Sequence, residues 1–232
     1  MIHETRFDLP PIEINLAGDV LIFDKPYRCT SFDLVAKVKK YIRNCYQTKV
    51  KVGHAGTLDP LATGVMIICV GAATKKIETF QAQEKEYTGV FCLGATTPSY
   101  DMEKTVDQIF SFKHITKEMA QNAAQRFIGE IEQIPPNFSA VKVEGKRAYD
   151  LARQGNEMEI KPKKITIYSF EITHFELPYI GFKIVCSKGT YIRSIARDFG
   201  TALNSGAYLS ALRRTRIGDF LVENAIIPII TP

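Results

Sequence analysis

The feature that most limits how this chain can fold is a six-residue apolar run, VMIICV at 65–70, placed directly behind a dozen residues, GHAGTLDPLATG at 53–64, that hold three glycines and a proline. The length and β-branched content of the run predict a buried strand. The glycines and the proline in front of it predict a loop. That loop lies against the core, and its only ionisable side chains are His54 and Asp59. An Asp-Pro pair by itself usually starts a turn, so Asp59-Pro60 alone does not mark a site.

The rest of the chain mixes strands and helices. DVLIF at 19–23 predicts a strand that enters the turn DKPYRCTS, where Thr30 or Ser31 caps a helix. In that helix Leu34, Val38, Tyr41, Ile42 and Cys45 recur at helical spacing, with Asp33 in the first turn and Lys39, Lys40 and Arg43 toward the end. Residues 85–93 predict a strand, 116–128 a helix, and 146–154 a short helix closed by Gly155. Two strand-like stretches within 164–187 meet at Pro178, and a helix runs from near Thr190 to about Leu203. Adjacent strands joined by short turns imply antiparallel pairing. The expectation is an α+β fold with a large, mainly antiparallel sheet, in one domain over residues 1–232.

Composition narrows the function classes. With 232 residues, 45% apolar and 24% charged, the chain can bury a core. A formal net charge of +5 is compatible with an anionic partner without selecting one. Five cysteines, at 29, 45, 69, 92 and 186, are odd in number and never form C-x-x-C, which argues against a disulfide framework and a zinc site and for a reducing cytoplasm. No run reaches the ~20 apolar residues of a membrane span, and the first residues lack the apolar block of a signal peptide. A soluble, cytoplasmic protein without metal is expected.

The whole string GHAGTLDPLATGV resembles the catalytic segment of the TruB family of pseudouridine synthases. DKPYRCTSFDLV, KEYTG, IPPNFSAVKVEGKRAYDLARQG, GTYIRSIARDFG and LRRTRIGDF are similar to further segments of that family, in the same order, over about residues 19–220. The resemblance implies the pseudouridine synthase fold, a large mixed sheet flanked by helices with a central RNA-binding cleft. It implies isomerisation of uridine to pseudouridine at position 55 in the T-loop of tRNA, on a flipped-out base and without a cofactor. Asp59 is then the nucleophile, and Arg193 its ion-pair partner. Tyr87 stacks on the target base and His54 is a base-stacking or gap-filling residue. Lys25 and Pro26 shape the site, and Leu212 packs around the uracil.

Read on position alone, the same residues have plainer roles. Arg193 lies in the first turn of its helix, where its charge opposes the macrodipole and calls for an acidic neighbour. Tyr87 shares a strand face with Phe91 and Leu93, as a core tyrosine does. Basic residues recur at Lys142, Lys146, Arg147 and Arg153, at Lys161, Lys163 and Lys164, and at Arg213, Arg214 and Arg216. Such runs usually form solvated faces, but beside segments resembling an RNA enzyme they are expected to meet phosphates. Arg28 stands where the family usually has glycine, so its turn should take a conformation that a side chain tolerates, and its charge is a further phosphate contact. Tyr208 and Asn204 also depart from the family pattern. No C-terminal PUA domain, no guide RNA and a monomer are expected. The alternatives are a tRNA-folding chaperone gripping the T-arm and D-arm, and the guide-RNA-dependent relative of the family.

Overall fold

A computed structural model describes residues 5–137, 142–143, 146–147 and 160–231. In chain order the first elements are β1 (Phe7–Asp8), β2 (Gly18–Lys25), α1 (Ser31–Tyr46), β3 (Val52–His54), β4 (Ala62–Gly71), α2 (Ile77–Ala82) and β5 (Lys85–Leu93). Then come β6 (Ala95–Thr96), β7 (Gln108–Ile109), α3 (Lys117–Gln125), β8 (Gly129–Gln133), β9 (Lys142–Val143) and β10 (Lys146–Arg147). The last are β11 (Lys163–Glu176), β12 (Tyr179–Cys186), α4 (Ile192–Ala202), β13 (Ala207–Ile217), β14 (Phe220–Leu221) and β15 (Ile229–Ile230). The fold is α+β with a large mixed sheet. Most of its described pairings are antiparallel, and β4 with β13 is parallel. The chain divides into two compact units, Met1–Tyr87 with Leu212–Pro232, and Thr88–Ala211. Strands β5 and β13 each run from one unit into the other.

In the first unit β4 is the centre, as its apolar run implies. Met66, Ile68 and Val70 pack with Phe23, Leu34, Val38 and Ile42, while Val65, Ile67 and Cys69 pack with Ala55 and Ile217. Alternate side chains are thus buried on both faces, which requires a run without polar residues. Strand β2 pairs antiparallel with β4 from Gly18↔Gly71 to Lys25↔Gly64. Helix α1 lays its apolar stripe on one face. It starts where Thr30 accepts from Asp33 N–H while the Asp33 carboxylate accepts from Thr30 N–H, a complete capping box.

In the second unit β11 and β12 form a long hairpin that turns at a cis Leu177–Pro178 bond, and β8 pairs with the far edge of β11. Phe91, Phe170, Phe182 and Phe199 interlock beneath α4, with Phe91 stacked on Phe182 at 4.1 Å between centroids.

Two local expectations need correction, and two elements went unread. Lys146–Arg147 is a strand paired with Lys142–Val143, not the first turn of a helix, and the rest of that stretch lies outside the described residues. Helix α3 ends at Gln125, and the chain leaves it through tighter bonds such as Phe127 N–H to Ala124 O. Strand β13 and helix α2 were not read from the sequence. The turn at Arg28 has a left-handed backbone, φ 57°, within the narrow region that a side chain tolerates.

Candidate active site

The pairing of β4 explains the shape of the loop before it. One edge of β4 is covered by β2 along its length. The other is shared, β3 pairing with Ile68–Val70 and β13 with Ala62–Gly64. Between those two stretches the strand carbonyls still need donors. Ile67 O accepts from Ala55 N–H at 2.9 Å, and Val65 O from Arg214 Nε at 2.8 Å. Residues 55–61 are therefore pinned where they leave β3.

Each successive carbonyl of the loop then finds a donor. Gly56 O and Thr57 O accept from Arg214 Nη2 and Nη1 at 3.1 and 3.4 Å. Leu58 is held at both backbone atoms by the Ser31 hydroxyl. Asp59 O accepts from Ala62 N–H at 3.1 Å, and Pro60 O accepts from Arg28 N–H at 2.9 Å and from Lys25 Nζ at 3.4 Å. The Asp59 residue itself is only partly buried.

Lys25 is fully buried, and its ammonium also donates to Pro26 O at 2.9 Å and Cys29 O at 2.6 Å. Burial pulls its pKa down to about 8; the charges of Cys29 and Asp59 oppose that fall, and Arg214 adds to it. Burial and the nearby Arg214 also lower the pKa of His54, which favours the neutral imidazole. Its Nδ1 is buried and has no hydrogen-bond partner among the described residues. Pro26 and Leu212 are half-buried, Leu212 standing opposite Ala62 in the parallel register, and Tyr87 is buried on β5. Asp59, His54, Lys25, Pro26, Tyr87 and Leu212 all belong to the first unit.

Arg193 belongs to the second unit. It is not a solvated surface arginine: it is 4% exposed, with Nε 3.7 Å from Asp101 Oδ2 and Nη1 3.4 Å from Ser99 O. Asp101 is an acidic neighbour of the kind the helix position called for, and sequence reading missed it because it lies far upstream on an irregular segment. Gln133 steadies the start of the same helix, accepting from Tyr191 N–H at 2.8 Å and donating to Tyr191 O at 3.2 Å.

The expected phosphate contacts divide. Arg214 is 1% exposed and its donors are taken by carbonyls, so it is a buried structural cation and not a surface one. Arg213 is half-exposed but forks onto both Asp24 oxygens at 3.0 and 2.6 Å, which offsets its charge. Arg28 is exposed, its guanidinium 5.4 Å from the centre of the Tyr27 ring. Lys146 and Arg147 lie on the β9–β10 hairpin, and Arg153 lies outside the described residues. Among the described residues no cluster of His, Cys, Asp and Glu could hold a metal ion, and no helix is long and apolar enough to cross a membrane.

Comparison with known proteins bears on this arrangement. The sequence model described as TruB family pseudouridylate synthase (N terminal domain) matches residues 43–192. The chain is 58% identical over 210 residues to a Phocaeicola vulgatus protein named tRNA pseudouridine synthase B, covering 90% of this chain and 89% of that one. It is 54% identical over 214 residues to a protein of the same name from Parabacteroides distasonis, covering 92% and 91%. Among solved structures, a chain of a Cbf5-Nop10-Gar1 complex is similar at a TM-score of 0.67 and 28% identity. That similarity covers 91% of this chain and 52% of the other, so this chain spans about half its length. A chain of an H/ACA RNP bound to a substrate RNA containing 2′-deoxyuridine is similar at 0.65 and 26%, covering 91% and 51%. Family match, near-complete coverage and high identity agree, and the chain belongs to the TruB family of pseudouridylate synthases.

Proposed function

We propose that this protein isomerises uridine to pseudouridine at position 55, in the T-loop of tRNA, with Asp59 as nucleophile. The observation that carries the reading is the match, over nine-tenths of both chains, to relatives named tRNA pseudouridine synthase B. In the reaction the N1–C1′ bond breaks, the uracil turns, and C1′ rejoins at C5; the C5 proton leaves and N1 takes one up. No electron is gained or lost. A carboxylate suits the first step because it can bond transiently to the nucleotide and leave again. A partly buried Asp59, on a loop whose carbonyls from Gly56 to Pro60 are all occupied, is the group such a step needs.

Tyr87 is assigned to stacking on the extruded base, with His54 beside the RNA and Lys25, Pro26 and Leu212 shaping the uracil site. Arg193 is assigned, on the family resemblance, to keeping Asp59 ionised. Exposed Arg28 and the β9–β10 hairpin are assigned to phosphates, with Arg213 a lesser contributor because Asp24 already engages it.

The test is release of label from C5 of uridine in a T-arm stem-loop, with purified protein and no other RNA. Wild type should release it and Asp59→Asn should not, while binding is retained. Appreciable turnover by Asp59→Asn refutes the nucleophile assignment. A requirement for a second RNA favours the guide-dependent reading, since a chain of an H/ACA RNP shares this fold.

A further inference from the structure

We propose that Arg214 is a positioning residue for Asp59: its guanidinium ties the loop that carries the carboxylate to the strand behind it. The inference rests on Asp59 being the nucleophile, and it removes Arg214 from the RNA-binding set. An arginine that meets phosphate must reach solvent, and this one is 1% exposed.

What it reaches is backbone. One planar group donates from Nε to Val65 O at 2.8 Å, from Nη1 to Thr57 O at 3.4 Å and from Nη2 to Gly56 O at 3.1 Å. Two of those carbonyls lie in the loop just before Leu58 and Asp59, and the third lies in the central strand after it. The guanidinium therefore fixes the spacing between the two ends of the segment that bears the nucleophile. Only a rigid fork can do this, because a lysine ammonium is a single point that cannot span three carbonyls in fixed directions.

Two glycines admit the fork. Arg214 pairs in parallel register with Gly64, φ +106°, where a Cβ would stand 2.1 Å from Arg214 O. Gly56 turns its carbonyl toward the guanidinium at φ +100°, a backbone that side chains rarely adopt; a Cβ there would lie 3.7 Å from Nη1, in ordinary contact, so the conformation and not the space calls for glycine. The loop motif and the arginine of LRRT, distant in sequence, thus form one device.

The test compares Arg214→Lys, Arg214→Gln and Asp59→Asn on a T-arm stem-loop, well below each variant's melting temperature. It measures the single-turnover rate at saturating protein and Kd as a function of salt. Displacing a reacting group by about an ångström costs on the order of 100-fold in rate. Both Arg214 variants should lose about that much, with Kd within about twofold of wild type and an unchanged salt slope. A wild-type rate for Arg214→Lys overturns the proposal, and so does a shallower salt slope for Arg214→Gln, which would mark a phosphate contact. If neither variant folds, Gly56→Ala displaces the accepting carbonyl and leaves the arginine in place. A rate loss without a binding loss then supports the proposal, and a full rate overturns it. Turnover by Asp59→Asn removes the nucleophile assignment and this proposal with it; an inactive Asp59→Asn beside a fully active Arg214→Lys removes this proposal alone.

Discussion

Ser31 grips Leu58 at both of its backbone atoms, donating from Oγ to the carbonyl at 3.0 Å and accepting from the N–H at 2.9 Å. Both residues are buried, and Ser31 is the first residue of α1, held in place by the Thr30–Asp33 capping box. The start of a helix thereby acts as the anchor for the residue next to Asp59.

Ser31→Ala should leave both backbone atoms of Leu58 without partners, destabilising the fold by about 1–3 kcal/mol, as read by urea unfolding. The turnover rate should fall by more than tenfold with little change in Kd. Ser31→Thr keeps the hydroxyl and should retain most of the activity; equal losses in the two variants would refute the anchoring role.

Lys25 predicts an alkaline limb. Its folded pKa, about 8, lies below the ordinary lysine value of 10.5. From pH 8 to 10.5 the folded protein sheds this proton while the unfolded chain keeps it, so this group's contribution to stability rises with pH across that window. Below pH 8 its cost is constant and at its largest. Activity should move the other way: a neutral amine has two donors for the carbonyls of Pro26, Cys29 and Pro60, so the loop loosens above pH 8. The rate of wild type should decline there, and that decline should be absent from the profile of Lys25→Met, whose rate is already reduced.

Arg28→Gly should stabilise the protein by about 1 kcal/mol, because glycine adopts φ 57° without a steric penalty. A melting temperature unchanged or lowered would contradict this. The same variant should bind the stem-loop more weakly with a salt slope smaller by about one ion, if the exposed guanidinium meets a phosphate.

Asp101→Ala should destabilise the second unit by about 3 kcal/mol, since it removes a buried carboxylate 3.7 Å from the buried Arg193 guanidinium. Thermal melting of the variant, with Asp198→Ala at a half-buried carboxylate as the comparison, measures the difference.

What was legible in the sequence follows from what each segment must bury. The run at 65–70 has no polar residue on either face and read as a buried strand, and Thr30 or Ser31 marked the start of α1, which the structure caps with Thr30. Strand β5 and the hairpin about Pro178 were read within a residue or so of their ends. Strand β13 was opaque because AYLSALRRTRI carries three arginines and reads as a solvated stretch. Its Arg214 is buried only because carbonyls from a distant loop satisfy it, and a carbonyl leaves no trace in side-chain identity. The turn at Arg28 gave no sign of its hand for a related reason: its N–H donates to Pro60 O, a backbone partner that side-chain identity does not reveal. Asp59 stood out through the string around it and not through its own chemistry, and Asp101 had no local signal.

The occupied carbonyls from Gly56 to Pro60 also bear on where binding energy goes. Ordering a free segment of this kind costs on the order of 1–2 kcal/mol per residue in lost conformational freedom. Here that cost falls during folding, well before any RNA arrives. On the proposed reading, the affinity of the encounter is then left for drawing the target nucleotide out of its stack.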